Sequence, residues 1–218
     1  MNNLAIKKDV EVVIKKEKNV YRFFKRAIDI IGSLIGLILA SPILLIVGML
    51  IKLESKGPIV FSQIRVGLKG KEFKMYKLRS MVVNAEELKK KLEEQNEMSG
   101  PMFKIKDDPR ITKVGKFIRK TSIDELAQLI NVLKGDMSLV GPRPSLPNEV
   151  AELEPWMLER LEVKPGLTCY WQVMGRNKIG FEEWMKLDIK YVKERSLWLD
   201  VKLISKTFFV LFGDKNAY

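Results

Sequence analysis

The sequence has no histidine and a single cysteine, Cys169. The first absence excludes histidine triads and histidine-ligated metal centres, so any acid–base or nucleophilic step must use carboxylates, lysine, tyrosine, serine or that one thiol. The second excludes an internal disulfide and agrees with a reducing compartment. Lying in an apolar run between Thr168 and Tyr170, Cys169 reads as a small core residue rather than a nucleophile. Acidic residues are the minority charge: 39 Lys and Arg against 27 Asp and Glu in 218 residues, a formal +12. Partners of such a chain are anionic, whether phosphates, nucleic acid or an acidic membrane surface. Internal repeats and low-complexity tracts are absent, and 46% hydrophobic with 30% charged residues suits one compact domain plus an addition.

Charge is missing altogether from Ile30 to Ile51, "IIGSLIGLILASPILLIVGMLI". A run of this kind is a membrane-helix candidate, and it starts too late to be a cleavable signal. Ser41-Pro42 sits near its middle: the proline removes a backbone donor, and the serine hydroxyl can serve a freed carbonyl. A helix that turned back there would have arms of about a dozen residues reaching only ~18 Å, short of the ~30 Å hydrocarbon core. Both flanks are basic, with Arg22, Lys25 and Arg26 before and Lys52, Lys56 and Arg65 after. A spanning helix normally shows asymmetry instead. The reading is a re-entrant membrane helix hairpin with both ends cytoplasmic; a single span or a buried soluble helix are the alternatives.

The remainder divides simply. Residues 1–20 form a polar basic extension, 21–56 an interface anchor with the hairpin, and 57–218 a cytoplasmic domain. "PIVFSQIRVG" and "KMYKLRSM" read as strands, 84–97 as a solvated helix, 122–134 as a helix stopped by Gly135, and 148–163 as another helix. "KPGLTCYWQVMGR" reads as a turn and short strand, 180–194 as a helix, and 197–212 as an amphipathic helix at the membrane interface or on the core. The fold class expected is α+β, a single small globular domain of helices and short strands on the re-entrant hairpin with interfacial amphipathic helices.

One stretch needs a chemical account: "KTSIDELAQLINVLKGDMSLVGPRP", residues 120–144. Ser122 and Glu125 fit a capping box, and acidic residues in a first turn complement a helix dipole, so Asp124-Glu125 could be purely structural. Their company suggests otherwise. Arg119 precedes them and Arg143 follows in the rigid turn Gly141-Pro142-Arg143-Pro144. Carboxylates ringed by arginines on a basic membrane protein suit a divalent cation held with a phosphate.

The run from Arg119 to Pro144, with "QIRVG", "KLRSM" and "KPGLTCYWQVMGR" in order, resembles the bacterial sugar transferases called monotopic phosphoglycosyl transferases, over about residues 21–218. The resemblance implies transfer of a sugar 1-phosphate from a UDP-sugar, glucose or galactose by the look of "RPSLPNEV" and "LWLD", to undecaprenyl phosphate, with release of UMP. It implies Asp124 as nucleophile with Glu125 beside it, Mg²⁺ as cofactor held by Asp124, Glu125 and Asp200, and Arg119 at the lipid phosphate. Nucleotide-sugar contacts would come from Lys71, Arg79, Arg143 and Arg176 with the 141–144 and 165–168 turns, and Trp171 or Tyr170 could stack on a base. Ser41-Pro42 matches the family's membrane-turning pair. Expected partners are the donor, the lipid acceptor and membrane lipids, with no nucleic acid, and a homodimer left open. Ala127, Leu78 and Cys169-Tyr170 depart from the family pattern; the last bears on the sugar pocket. The competing reading is a basic membrane-associated scaffold without catalysis.

Overall fold

In the computed structural model, residues 19–92, 105, 107–175 and 179–213 are described. The uncharged run lies within α1, Asn19–Glu54, a helix of 36 residues. It is the one helix among the described residues long and apolar enough to cross a membrane. The helix continues through Ser41-Pro42 rather than breaking there. Pro42 cannot donate to the carbonyl four residues back, which is that of Ile38, and the Ser41 hydroxyl donates to that same oxygen at 2.8 Å. The local repair expected of this pair is present without an interruption of the helix.

Both halves of α1 pack on one body. Before Pro42, Asp29 accepts hydrogen bonds from the Ser138 hydroxyl and the Leu139 amide, each at 2.9 Å. Gly32 and Gly36 lie so close to Leu139 and Leu129 that a Cβ there would meet them at 2.6 and 3.0 Å. After Pro42, Val47 and Ile51 share a core cluster with Leu78 and Ile118. The helix is therefore part of the domain's own core, and its other face, including Ile38, Leu39, Leu45 and Met49, is exposed and apolar.

Gly57 turns the chain with φ 127°, and β1 (Val60–Val66) pairs antiparallel with β2 (Glu72–Leu78), Val60 opposite Leu78. α2 (Ala85–Lys91) follows; the expected continuation to 97 falls outside the described residues. α3 (Lys113–Lys120) is capped by Thr112, whose hydroxyl accepts from the Gly115 amide. A 3₁₀ segment, Ile123–Gln128, leads into α4 (Leu129–Lys134), which ends at Gly135 with φ 90°, the left-handed C-terminal stop anticipated.

β3 (Ser138–Val140) pairs in parallel with β4 (Gly166–Thr168). Their crossover holds α5 (Pro147–Ala151) and a 3₁₀ segment, Pro155–Glu162, where one helix over 148–163 was expected. Glu154 precedes a proline and is extended at ψ 153°, which splits the segment. The short strand expected in "KPGLTCYWQVMGR" is β4, and "YWQVM" after it is α6 (Tyr170–Met174). α7 (Phe181–Glu194) and α8 (Leu197–Gly213) complete the fold. Val140, Cys169, Tyr191, Val192 and Leu203 form a core cluster, so Cys169 is the buried packing residue that its context suggested.

Candidate active site

The dyad does not cap a helix. Ser122 adopts a left-handed conformation, φ 55°, and its side chain makes no capping bond. This turn between α3 and the 3₁₀ segment swings Asp124 and Glu125 towards β2. Glu125 meets Lys77 of β2 and Arg143 of the Gly-Pro-Arg-Pro turn, both at 2.9 Å and both at Oε1. Burial alone would raise its carboxyl, but Arg143 and Lys77 outweigh burial and hold it well below the usual range.

Asp124 is the opposite case. It is 7% exposed and makes no hydrogen bond or ion pair among the described residues. Burial, opposed by Lys77 and reinforced by Glu125, pushes its carboxyl up to about 6. It lies in the first turn of a 3₁₀ segment, where loss of water dominates.

Both carboxylates line a cavity of about 1240 Å³. Its charged rim includes Arg65, Lys77, Arg119 and Arg143, and its opposite wall is α1, from Ile28 through Gly32 and Gly36 to Ile43. Arg119 extends from α3 into the chamber lining, and among the described residues its side chain makes no hydrogen bond or ion pair. One chamber thus joins a polar anion-attracting rim to an apolar wall.

Of the 141–144 turn, Arg143 alone faces the chamber, and Gly141, Pro142 and Pro144 are buried. Their role is backbone placement. A Cβ on Gly141 would stand 2.3 Å from the Lys164 carbonyl, so the two turns can cross only at glycine. The Gly141 amide donates to Thr168 and the Gly166 amide to Pro142, each at 2.9 Å. These amides are therefore unavailable to a phosphate, a correction to the expected nucleotide contacts.

Three further expectations change. Arg79 lines the chamber but is 6% exposed, and its guanidinium donates to the carbonyls of Lys56, Ser55 and Ile51 at 2.6, 2.9 and 3.3 Å, closing the C-terminal end of α1. Lys71 stands exposed at the hairpin tip, away from the chamber lining. Asp200 does not join the dyad as a metal ligand. It pairs with Lys25 at 2.8 Å and accepts from Tyr191 at 2.8 Å and Tyr21 at 3.3 Å. No group of three or more acidic, histidine or cysteine side chains suited to a metal occurs among the described residues. Arg176 lies outside the described residues. Trp171 stacks on Trp184, ring centroids 4.5 Å apart, while also lining the chamber.

Sequence reasoning passed over Lys77, Arg65, Arg160 and Asp188. Asp188 falls on the Trp184, Tyr191, Val192 face of α7, and a charge on a buried stripe demands a partner.

Residues 20–214 match the family described as bacterial sugar transferase. The chain belongs to this family. Among its relatives are the galactosyl transferase CpsE of Streptococcus agalactiae serotype III, 51% identical over 88% of this chain and 43% of the relative, and the undecaprenyl-phosphate galactose phosphotransferase of Salmonella typhimurium, 44% identical over 90% and 42%. The exopolysaccharide production protein ExoY of Rhizobium meliloti is 33% identical over 89% of this chain and 88% of its own length. The chain thus spans less than half the length of the first two and most of the third. Every residue of the charged rim falls within the part that defines this sugar transferase family.

Proposed function

We propose that this sugar transferase moves a hexose 1-phosphate, glucose or galactose, from a UDP-sugar to undecaprenyl phosphate, with Asp124 as a covalent nucleophile. The observation that carries the reading is Asp124 itself: buried, unpaired, and facing a chamber with cations on one side and an apolar helix on the other. A carboxylate kept from water without a partner is poorly stabilised as an anion, which strengthens it as a nucleophile.

In the first step a carboxylate oxygen of Asp124 bonds to the sugar-bearing phosphorus as the bond to the UMP oxygen breaks, and UMP leaves with that electron pair. A phosphate oxygen of the lipid then bonds to the same phosphorus, and Asp124 departs as carboxylate. Arg119 and Lys77 offset the anionic charge gathered there, and Arg143 keeps Glu125 ionised beside it. The two ion pairs at Glu125 Oε1 leave Oε2 and the Asp124 oxygens as hard donors, which fits Mg²⁺, an ion content with one or two carboxylates plus substrate phosphate and water. Bound there, Mg²⁺ would act as a Lewis acid on the diphosphate.

The fold also fits a monotopic placement, and the basic flanks of α1 fit the cytoplasmic face. Gly36 packs on Leu129 and Leu44 on the cluster of Val47, Ile51, Leu78 and Ile118, so the stretch of α1 between these contacts is only about 12 Å, well short of the ~30 Å core. With both halves fixed to one body, the helix has no stretch clear of the domain that is long enough to cross, and a dip into one leaflet fits it better. The exposed Trp198, Phe208 and Phe209 of α8 suit the same interface.

The deciding experiment is UMP release from a panel of UDP-sugars with undecaprenyl phosphate and Mg²⁺, paired with labelled donor in the absence of lipid. Label retained on the wild-type chain and missing from Asp124→Asn supports the covalent route. An active enzyme that never retains label would replace it with direct attack by the lipid phosphate. No UMP release from any donor would remove the reading.

A further inference from the structure

Arg160 is a 2% exposed arginine outside the chamber lining. Its Nε and Nη2 both donate to Asp188 Oδ2, at 3.0 and 2.7 Å, and the carboxylate is fully buried on α7. A buried pair of this kind is weak as a stability device, since apolar residues of similar volume often do as well or better. What the remaining donors of Arg160 reach gives the pair another use. Nη2 also donates to the Arg143 carbonyl at 2.7 Å, and Nη1 donates to the Ser145 hydroxyl. The residues on both sides of Pro144, one through its carbonyl and the other through its hydroxyl, are thereby gripped by one guanidinium anchored from α7.

The Arg143 side chain leads back to the same group. Its guanidinium stands over the Trp171 ring at 5.9 Å; Trp171 stacks on Trp184 at 4.5 Å; and Arg160 stands over Trp184 at 5.9 Å. Arg143 is thus fixed twice by Arg160, through its carbonyl and through a layered cation–aromatic–aromatic–cation stack. The other end of Arg143 meets Glu125. We propose that Arg160, oriented by Asp188, is a positioning residue for the transfer reaction, setting the Arg143 guanidinium against Glu125. The proposal rests on the function argued above. An error of about 1 Å in a charged group beside the dyad costs on the order of 10²-fold in rate, which is the scale on which such a device acts.

The test is a double-mutant cycle on the full chain with its lipid acceptor. Arg160→Lys, which keeps the charge and loses the fork, should lower kcat about 10- to 100-fold while the KM for UDP-sugar moves little. Arg143→Gln should lower kcat by a similar or larger factor. The decisive figure is the double variant. If Arg160 acts through Arg143, adding Arg160→Lys to Arg143→Gln should cost no more than about threefold further. Multiplicative losses, or an Arg160→Lys enzyme within twofold of wild type, would overturn the proposal. Should Arg160→Lys not fold, the same cycle with Ser145→Ala decides, with a smaller non-additive loss expected and an additive one counting against. An inactive wild-type chain would instead sink the underlying function, and an active wild type with an additive cycle would sink only this inference.

Discussion

Asp124 and Asp200 are both buried acidic residues that the sequence set beside cations, yet the fold treats them in opposite ways. Asp200 is 3% exposed and fully engaged: Lys25 neutralises it, Tyr191 and Tyr21 donate to it, and the group ties α8 to the first turns of α1. Asp124 is almost as buried, at 7%, with cations near but none bonded to it. A carboxylate whose oxygens are all engaged by the protein, as those of Asp200 are, serves structure first. An unsatisfied one facing a chamber is available for chemistry, and the protein bears the cost of keeping it dry.

The largest effect that would sharpen this contrast is Asp124→Asn. Turnover should fall at least about 10³-fold, because the amide is nearly isosteric but cannot form the acyl phosphate, while the thermal transition of the variant stays at or above that of wild type. A variant that kept a tenth of wild-type turnover would erase the distinction between the two residues.

Asp200→Asn should do the reverse. Removing one member of a buried pair strands Lys25, at a cost of about 3 kcal/mol, seen as a lower midpoint in denaturant or heat. Turnover per folded molecule should remain within several-fold of wild type. If folded Asp200→Asn were as inactive as Asp124→Asn and regained turnover at high Mg²⁺, a metal role for Asp200 would return.

These residues also show how far the sequence could be read. The hairpin β1–β2, the Gly135 stop and the apolar α1 were legible because Gly, Pro, alternation and an uncharged run act over a few residues. Glu154-Pro155 was equally local, yet the apolar positions on both sides read as one continuous helix. The dyad was found through Arg119 and Arg143, its neighbours along the chain. Its other counter-ion was missed, since Lys77 meets Glu125 across 48 residues. Arg160 and Asp188, 28 apart, were missed for the same reason. Arg79 reads as a nucleotide-sugar contact and Asp200 as a metal ligand because a sequence shows a charge but not whether a carbonyl or a tyrosine already satisfies it.

Arg79 offers a milder test of the same rule. Its donors close three carbonyls at the end of α1, so Arg79→Gln should destabilise the fold by about 2 kcal/mol, within the range for leaving buried acceptors unpaired. The KM for UDP-sugar should stay near the wild-type value. A rise of tenfold or more in KM, with stability unchanged, would restore Arg79 to the nucleotide site.

The smallest effect is a pH dependence that belongs to Asp124 alone. Its carboxyl is pushed up to about 6 in the folded chain, whereas an unfolded aspartate titrates near 3.9. Between those values the folded state holds a proton that the unfolded state has released. The contribution to stability is therefore complete below about pH 4 and is lost as pH rises through 6, amounting to about 1 kcal/mol between pH 5 and pH 7. The amide introduced by Asp124→Asn cannot titrate, so in EDTA the stability of that variant minus that of wild type should grow by that amount over this interval. Asp188, also pushed to about 6 by burial against its Arg160 partner, titrates in both proteins and cancels in the difference. A flat difference between pH 5 and pH 7 would mean that Asp124 has a partner in solution, and the contrast with Asp200 would then be one of degree.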